Sequence, residues 1–341
     1  QMCDFYGLCN DRIKVLTWDD WKGYDPSEEL KLKFRDAYKD DPEFQRVDAF
    51  ICHHPVANCE LFVGMGKPII IHATTRLEFG RHDAGIDWRL GSGYSEYNVE
   101  EGKKKWAAWI RTLQELAKDK KNIIAANTVY DQDYIKFFTG IEDVELIPSW
   151  CGDGAVGSKL CEDGWETTVK SRAWFPTRKE LVIVPYRTNL DRSRFEGNLR
   201  KAEDHPILAG LRNHSNATDG AHARTISELY GSGNPTNLLK HPAVVVIPYQ
   251  ISTMHLVEIY RLNIPMFVQS LDLLKEWCQE YDLMWEVSYG WPEDLMPDSH
   301  PGIPYPNDRP DMDKHGEEWN EKFDHWIPKS DFYQFLHFIY F

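Results

Sequence analysis

The sequence predicts an α/β protein of two domains, each built around a sheet of parallel strands. Short apolar runs rich in Val and Ile, such as Ala243–Ile247, predict strands that are buried on both faces. Amphipathic segments with helical spacing separate these runs, as repeated strand–helix–strand units require. The length of 341 residues fits two domains with separate cores.

The clearest strand–helix–strand unit runs from His241 to Ser270. Its first strand stops at Pro248, and the polar residues 249–253 follow as a loop. Apolar residues at helical spacing predict a helix from Met254 onward, and a second buried strand follows that helix. Ligands of such sheets bind at the carboxyl ends of the strands. We therefore expect the loop, together with Glu258 one turn into the helix, to contact a ligand.

The N-terminal half predicts a second set of strands, most of them followed by polar residues. The strands are Ile13–Thr17, Val47–Cys52, Pro68–Ile71, Ile123–Ala126 and Val144–Ile147, with helices near 28–38, 59–65, 106–117 and 133–138. The polar residues at their ends that can meet a substrate are Asp19, Asp20, His53, His54, Thr74, Thr75, Arg76, Glu78 and Arg81.

These patterns divide the chain into four regions. Residues 1–150 form the first α/β domain, and the glycine-rich residues 151–180 form a linker. Residues 181–290 form the second domain, whose first strand is followed by Arg187. Proline, aspartate and tryptophan predominate between 291 and 329, so residues 291–341 are predicted to be an extended C-terminal tail that wraps the protein and packs its tryptophans.

Three segments, 48–81, 122–150 and above all 241–270, resemble the GT-B glycosyltransferases. The resemblance implies two Rossmann-like domains that face each other across a cleft, with acceptor bound by the first and nucleotide-sugar donor by the second. Many members carry two acidic residues eight positions apart, for the donor sugar and the ribose. Gln250 and Glu258 match these positions, so an amide replaces the first acid and Glu258 is expected to bind the ribose hydroxyls.

The residues support the same chemistry on physical grounds. A helix N-terminus attracts a diphosphate, and Arg187 adds a fixed positive charge. We therefore assign donor binding to Arg187, Tyr249, Gln250, Ser252, Thr253 and Glu258, and acceptor binding to Thr74, Thr75, Arg76, Glu78 and Arg81. An inverting transfer needs one general base, for which His53, His54, Asp19 and Asp20 are the candidates. No metal site and no cofactor besides the donor are predicted.

Two other functions fit the same pattern. A nucleotide-sugar epimerase of this architecture would handle a nucleotide sugar and water instead of a glycan acceptor. A carbohydrate-binding protein would close on its ligand without reacting. The formal net charge of −15 argues against a duplex nucleic-acid binder, which needs clustered Lys and Arg.

The cysteines and sequons indicate the secretory pathway, with the Golgi lumen as the expected location and a cytoplasmic enzyme as the alternative. Short-range disulfides are predicted for Cys3–Cys9 and Cys151–Cys161, whereas Cys52 and Cys59 fit buried thiols equally well. Two sequons begin at Asn213 and Asn216. No apolar run is long enough to span a bilayer, so no membrane contact is expected, although a removed N-terminal anchor would fit a chain that begins at Gln1.

Overall fold

A computed structural model describes residues 28–52, 56–73, 99–147, 176–185, 206–217, 223–230, 235–248, 251, 254–281, 283 and 313–341. The chain divides into two compact units. One comprises residues 15–149 and 288–303, and the other comprises residues 1–14, 150–287 and 304–341. Each unit holds one parallel sheet, so the predicted α/β class is confirmed. The domain boundaries drawn from the sequence stay a prediction.

The first unit contains a four-stranded sheet whose strands lie side by side in sequence order. Buried Ile and Ala residues line its central strands, with Ile71, Ala73 and Ala126 almost fully enclosed. The helix that the sequence predicts near 59–65 is a 3-10 helix, Val56–Phe62. The elements are α1 (Glu28–Tyr38), α2 (Pro42–Gln45), β1 (Phe50–Cys52), β2 (Ile69–Ala73), α3 (Val99–Lys118), β3 (Ile123–Ala126), α4 (Val129–Thr139) and β4 (Glu145–Leu146).

The second unit contains a five-stranded sheet in the order β6-β5-β7-β8-β9. All strand pairs are parallel, and the four residues of β7 are buried, as the apolar run predicts. The elements are β5 (Leu181–Pro185), α5 (Pro206–Ala217), β6 (Ala223–Thr225), α6 (Ile226–Tyr230), β7 (Val244–Ile247), α7 (Met254–Arg261), β8 (Met266–Val268), α8 (Leu271–Tyr281), α9 (Glu317–Trp326), α10 (Asp331–Gln334) and β9 (Ile339–Tyr340), with 3-10 helices at Pro235–Lys240 and Ile327–Lys329.

The C-terminal residues 313–341 belong to the second unit. The composition of this region predicts extended chain, but α9 is a helix because Trp319, Phe323 and Trp326 recur at helical spacing and bury their rings. Their burial confirms that the two tryptophans pack in a core. Beyond α9, β9 adds the last strand of the sheet by pairing with β8.

Cys52 and Cys59 form a disulfide with a Cα–Cα distance of 5.7 Å. It joins the end of β1 to the following 3-10 helix, which decides the choice between a bridge and buried thiols at this pair. The predicted bridges Cys3–Cys9 and Cys151–Cys161 lie outside the described residues. Within the described ranges, no helix combines the length and the apolar composition that a bilayer crossing requires.

Candidate ligand site at the carboxyl edge of the second sheet

The strand order of the second sheet reverses at β5. Its neighbours are β6 on one side and β7 on the other, so the connection from β5 runs to one side and the next connection, from β6 to β7, crosses back to the other. In open parallel sheets, this reversal opens a crevice outside the carboxyl ends of the two strands where ligands bind. Pro185 and Ile247 are register partners at these ends. The strands of the first sheet follow one another in sequence order, and its described part contains no such reversal.

The helix that follows β7 presents an N-terminus without negative charge. No acidic residue lies in the first turn of α7, and residues 241–257 contain neither Asp nor Glu, although the chain has 54 acidic residues. By contrast, Asp131 lies in the first turn of α4 and Asp272 in that of α8. A helix N-terminus carries a partial positive charge and exposed N–H groups. An anion is therefore favoured at the N-terminus of α7 over the N-termini of α4 and α8.

The N-terminus of α4, at the carboxyl edge of the first sheet, is already occupied by its own side chains. The Thr128 hydroxyl accepts a hydrogen bond of 2.9 Å from the backbone N–H of Asp131. It also donates to the Asp131 carboxylate at 2.9 Å, and both residues are buried. A carboxylate at this position repels a phosphate, so this helix end is a structural cap.

His72 brings a titratable group to the carboxyl edge of the first sheet. Its Nε2 lies 3.0 Å from the carbonyl oxygen of Ile147, to which it donates. Burial lowers the pKa of His72, so the ring is neutral at pH 7. In the sequence His72 follows the apolar run 68–71, but it is not among the predicted site residues.

The C-terminal segment Ser330–Phe341 covers the carboxyl edge of the second sheet next to β7 and β8. The backbone N–H of Asp331 donates to the carbonyl oxygen of Ile251 at 3.1 Å, inside the loop that follows β7. The Tyr333 hydroxyl donates to the carbonyl oxygen of Gln269 at 3.1 Å, and burial raises the pKa of Tyr333, so the hydroxyl keeps its proton. This segment therefore fixes two of the loops that leave the edge.

Gln269 is a residue of this edge that the sequence analysis misses. It directly follows β8 and has no exposed surface. The signal that could have found it is the same one used elsewhere, namely a polar side chain immediately after a buried strand.

Among the predicted donor-binding residues, the structure places Glu258 within α7, in the unit that contains the strand-order reversal. Arg187 follows Pro185 by two positions, and Tyr249 follows Ile247 by two, so both chain segments start from the reversal. Arg187 and Tyr249 themselves lie outside the described ranges. So do the remaining predicted site residues: Asp19, Asp20, His53, His54, Thr74, Thr75, Arg76, Glu78, Arg81, Gln250, Ser252 and Thr253.

Among the described residues, no group of three or more His, Cys, Asp or Glu side chains is arranged to hold a metal ion. Comparison with known proteins adds no assignment: no family model, no curated protein and no solved structure matches the chain.

Proposed function

We propose that the chain is a glycosyltransferase of GT-B type that moves a sugar from a nucleotide-sugar donor to a hydroxyl acceptor by an inverting, metal-independent reaction. The observation that carries the proposal is the reversal of strand order at β5, together with the N-terminus of α7, which follows the adjacent strand β7 and has no acidic residue in its first turn. A dinucleotide-like or nucleotide ligand is the chemical class that binds at such a position.

The donor diphosphate lies at the N-terminus of α7 in this proposal. Backbone N–H groups of the first turn bind its oxygens, and Arg187, two residues after β5, adds a charge-assisted hydrogen bond. These groups stabilise the negative charge that develops on the departing diphosphate, which is the task a divalent cation performs in other transferases. Glu258 binds the ribose hydroxyls from the second turn of the same helix.

The acceptor is proposed to bind to the residues that follow β1 and β2 of the first unit. One general base among His53, His54, Asp19 and Asp20 removes the proton from the acceptor hydroxyl as that oxygen attacks the anomeric carbon. The bond from that carbon to the diphosphate breaks in the same step, and the nucleoside diphosphate leaves with the electron pair. An attack opposite the leaving group inverts the anomeric centre.

The diphosphate site is tested by placing a negative charge beside the first turn of α7. Thr253 precedes Met254, the first residue of the helix. Thr253→Asp supplies a good helix cap but also a carboxylate that competes with phosphate, and Thr253→Asn is the neutral, isosteric control. We expect the Asp variant to bind UDP or GDP about tenfold more weakly than the Asn variant in calorimetric titrations, because the two differ only in the charge of the side chain. Equal affinities in the two variants would remove the diphosphate from this helix end.

The reaction is tested with a panel of nucleotide sugars, with and without glycan acceptors. Transfer in the presence of excess EDTA supports the proposal. Loss of activity in EDTA that manganese or magnesium restores contradicts the metal-independent mechanism. Release of an epimerised free sugar without transfer would indicate an epimerase, and binding without turnover would indicate a carbohydrate-binding protein.

A further inference from the structure

Gln269 differs in its hydrogen bonding from three glutamines that keep exposed surface. The amide nitrogens of Gln114, Gln132 and Gln279 donate to the backbone carbonyls of Thr139, Val144 and Lys314 at 2.7 to 2.8 Å. Gln269 is fully buried, yet neither its side-chain nitrogen nor its side-chain oxygen has a hydrogen-bond partner among the residues that the structure describes. Its backbone carbonyl accepts a hydrogen bond from Tyr333, so the polar atoms without a hydrogen bond are those of the side chain.

A buried amide without partners is costly, because the hydrogen bonds it made with water in the unfolded chain are not replaced. Such a group in a folded protein calls for an explanation, and a ligand that supplies the missing partners is one. The position favours a ligand here. Gln269 directly follows β8, and β8 is paired with β7, one of the two strands that border the candidate crevice. Neighbouring strands lie about 4.8 Å apart, so Gln269 is one strand away from β7.

We propose that the Gln269 carboxamide binds hydroxyl groups of the sugar that the donor transfers. This inference rests on the proposed function. A primary amide offers both donors and an acceptor, and a sugar hydroxyl both donates and accepts, so the two groups are complementary. The diphosphate and the ribose are assigned to α7, and β8 is the next strand away from β5. The nucleobase and the transferred sugar are the parts of the donor that remain, and of these two only the transferred sugar carries hydroxyl groups.

Because the Gln269 side chain is enclosed, a ligand reaches it only after a neighbouring segment moves. The described segment at this strand end is Ser330–Gln334, held by the Asp331 N–H bond to Ile251 and the Tyr333 hydroxyl bond to Gln269. Both bonds join this segment to backbone carbonyls at the sheet edge, one in the loop after β7 and one at the end of β8. Displacement of this segment would expose the Gln269 side chain and the loop after β7 together.

Gln269→Met is the decisive variant, because methionine has a similar length and removes both polar atoms. The binding probe is whichever of UDP-glucose, UDP-galactose, UDP-N-acetylglucosamine, GDP-mannose and GDP-fucose binds wild type most tightly, compared with its nucleoside diphosphate. We expect a higher thermal unfolding midpoint without ligand, about tenfold weaker affinity for the nucleotide sugar, and unchanged affinity for the nucleoside diphosphate.

Gln279→Met is the matched control. Its amide donates to Lys314, so the same substitution should lower the unfolding midpoint and leave both affinities unchanged. Gln269→Leu serves as a second apolar variant. A lower unfolding midpoint in both Gln269 variants would show that the amide is already satisfied in the fold, and would overturn the proposal.

Two binding outcomes also overturn it. Unchanged affinity of Gln269→Met for the nucleotide sugar removes Gln269 from the site while leaving the proposed function intact. An equal loss for the nucleotide sugar and the nucleoside diphosphate excludes the transferred sugar as the bound group. If wild type binds no member of the panel, the proposed function fails together with this inference.

Discussion

The hydroxyl of Tyr230 lies 2.5 Å from Nε2 of the buried His241, at the amino edge of the second sheet. Nδ1 of the same ring lies 2.9 Å from the carbonyl oxygen of Glu180 and donates to it, so Nε2 accepts from the tyrosine. Arg178 in turn donates to the Tyr230 oxygen at 3.1 Å. This network joins the residues that precede β5 and β7 to α6, on the edge opposite the candidate ligand site.

The network predicts a pH-dependent stability. Burial lowers the pKa of His241 below its unfolded value, so the unfolded chain binds a proton that the folded chain does not. The stabilising contribution is complete well above pH 6.5 and is lost as the pH falls below that value. Urea unfolding between pH 8 and pH 5 should show a smaller fall in stability for His241→Asn than for wild type. The same pH dependence in both proteins would contradict this assignment.

Tyr230→Phe removes the hydroxyl that bonds to His241. It should lower the free energy of unfolding by about 0.5–1.5 kcal/mol at pH 8.

Glu258→Ala should weaken nucleotide binding without unfolding the protein. Losing a charged hydrogen-bonding partner predicts a loss of about 1.5–3 kcal/mol in binding free energy. Calorimetric titration with nucleoside diphosphates measures the change, and circular dichroism checks the fold. Glu276→Ala, an exposed glutamate of α8, is the matched control and should bind like wild type. Wild-type affinity in Glu258→Ala would exclude this carboxylate from the site.

The general base is identified by four single variants: His53→Ala, His54→Ala, Asp19→Asn and Asp20→Asn. We expect one of the histidine variants to lower kcat by about 10²–10⁴-fold with donor affinity unchanged, because an imidazole titrates near neutrality and the donor is proposed to bind to the other unit. Steady-state kinetics and donor titration separate the two effects. If both histidine variants turn over at nearly the wild-type rate and one aspartate variant does not, the base is that aspartate.

The Cys52–Cys59 bridge should persist in the isolated protein. Non-reducing peptide mapping should find these two residues joined, and Cys278 as a thiol because it is buried in α8. Replacing both bridge residues by alanine should lower stability by about 2–3 kcal/mol, the entropic effect of closing a short loop. Mapping that recovers Cys52 and Cys59 as thiols contradicts the bridge, and the same map tests the predicted pairs Cys3–Cys9 and Cys151–Cys161.

Strands and helices with strong local patterns are predictable from this sequence. The apolar run 243–247, rich in Val and Ile, predicts β7, and the apolar spacing from Met254 predicts α7 almost to its last residue. The two-residue strand β9 is missed because Ile339–Tyr340 is too short to show an alternating pattern. Its pairing with β8 comes from tertiary contacts that no local window contains.

The candidate site is only partly predictable for a related reason. Polar residues after apolar runs can be read from the sequence, and they lead to Arg187 and to the loop 249–253 that precedes the helix of Glu258. The reversal at β5 depends on which strands are neighbours, and neighbouring β6 is a three-residue strand that the sequence analysis does not find. Likewise, the sequence shows that Gln269 follows an apolar run, but only the structure shows that its side chain is fully enclosed.

The order of strands along the chain sets an order for folding during synthesis. The four described strands of the first sheet are synthesised before the first described strand of the second sheet, since β4 ends at Leu146 and β5 starts at Leu181. The second sheet must wait, because β9 is translated about 70 residues after its partner β8. Until then the edge of β8 stays open, and nascent chains stalled before Ile339 should bind chaperones and aggregate more readily than the finished protein.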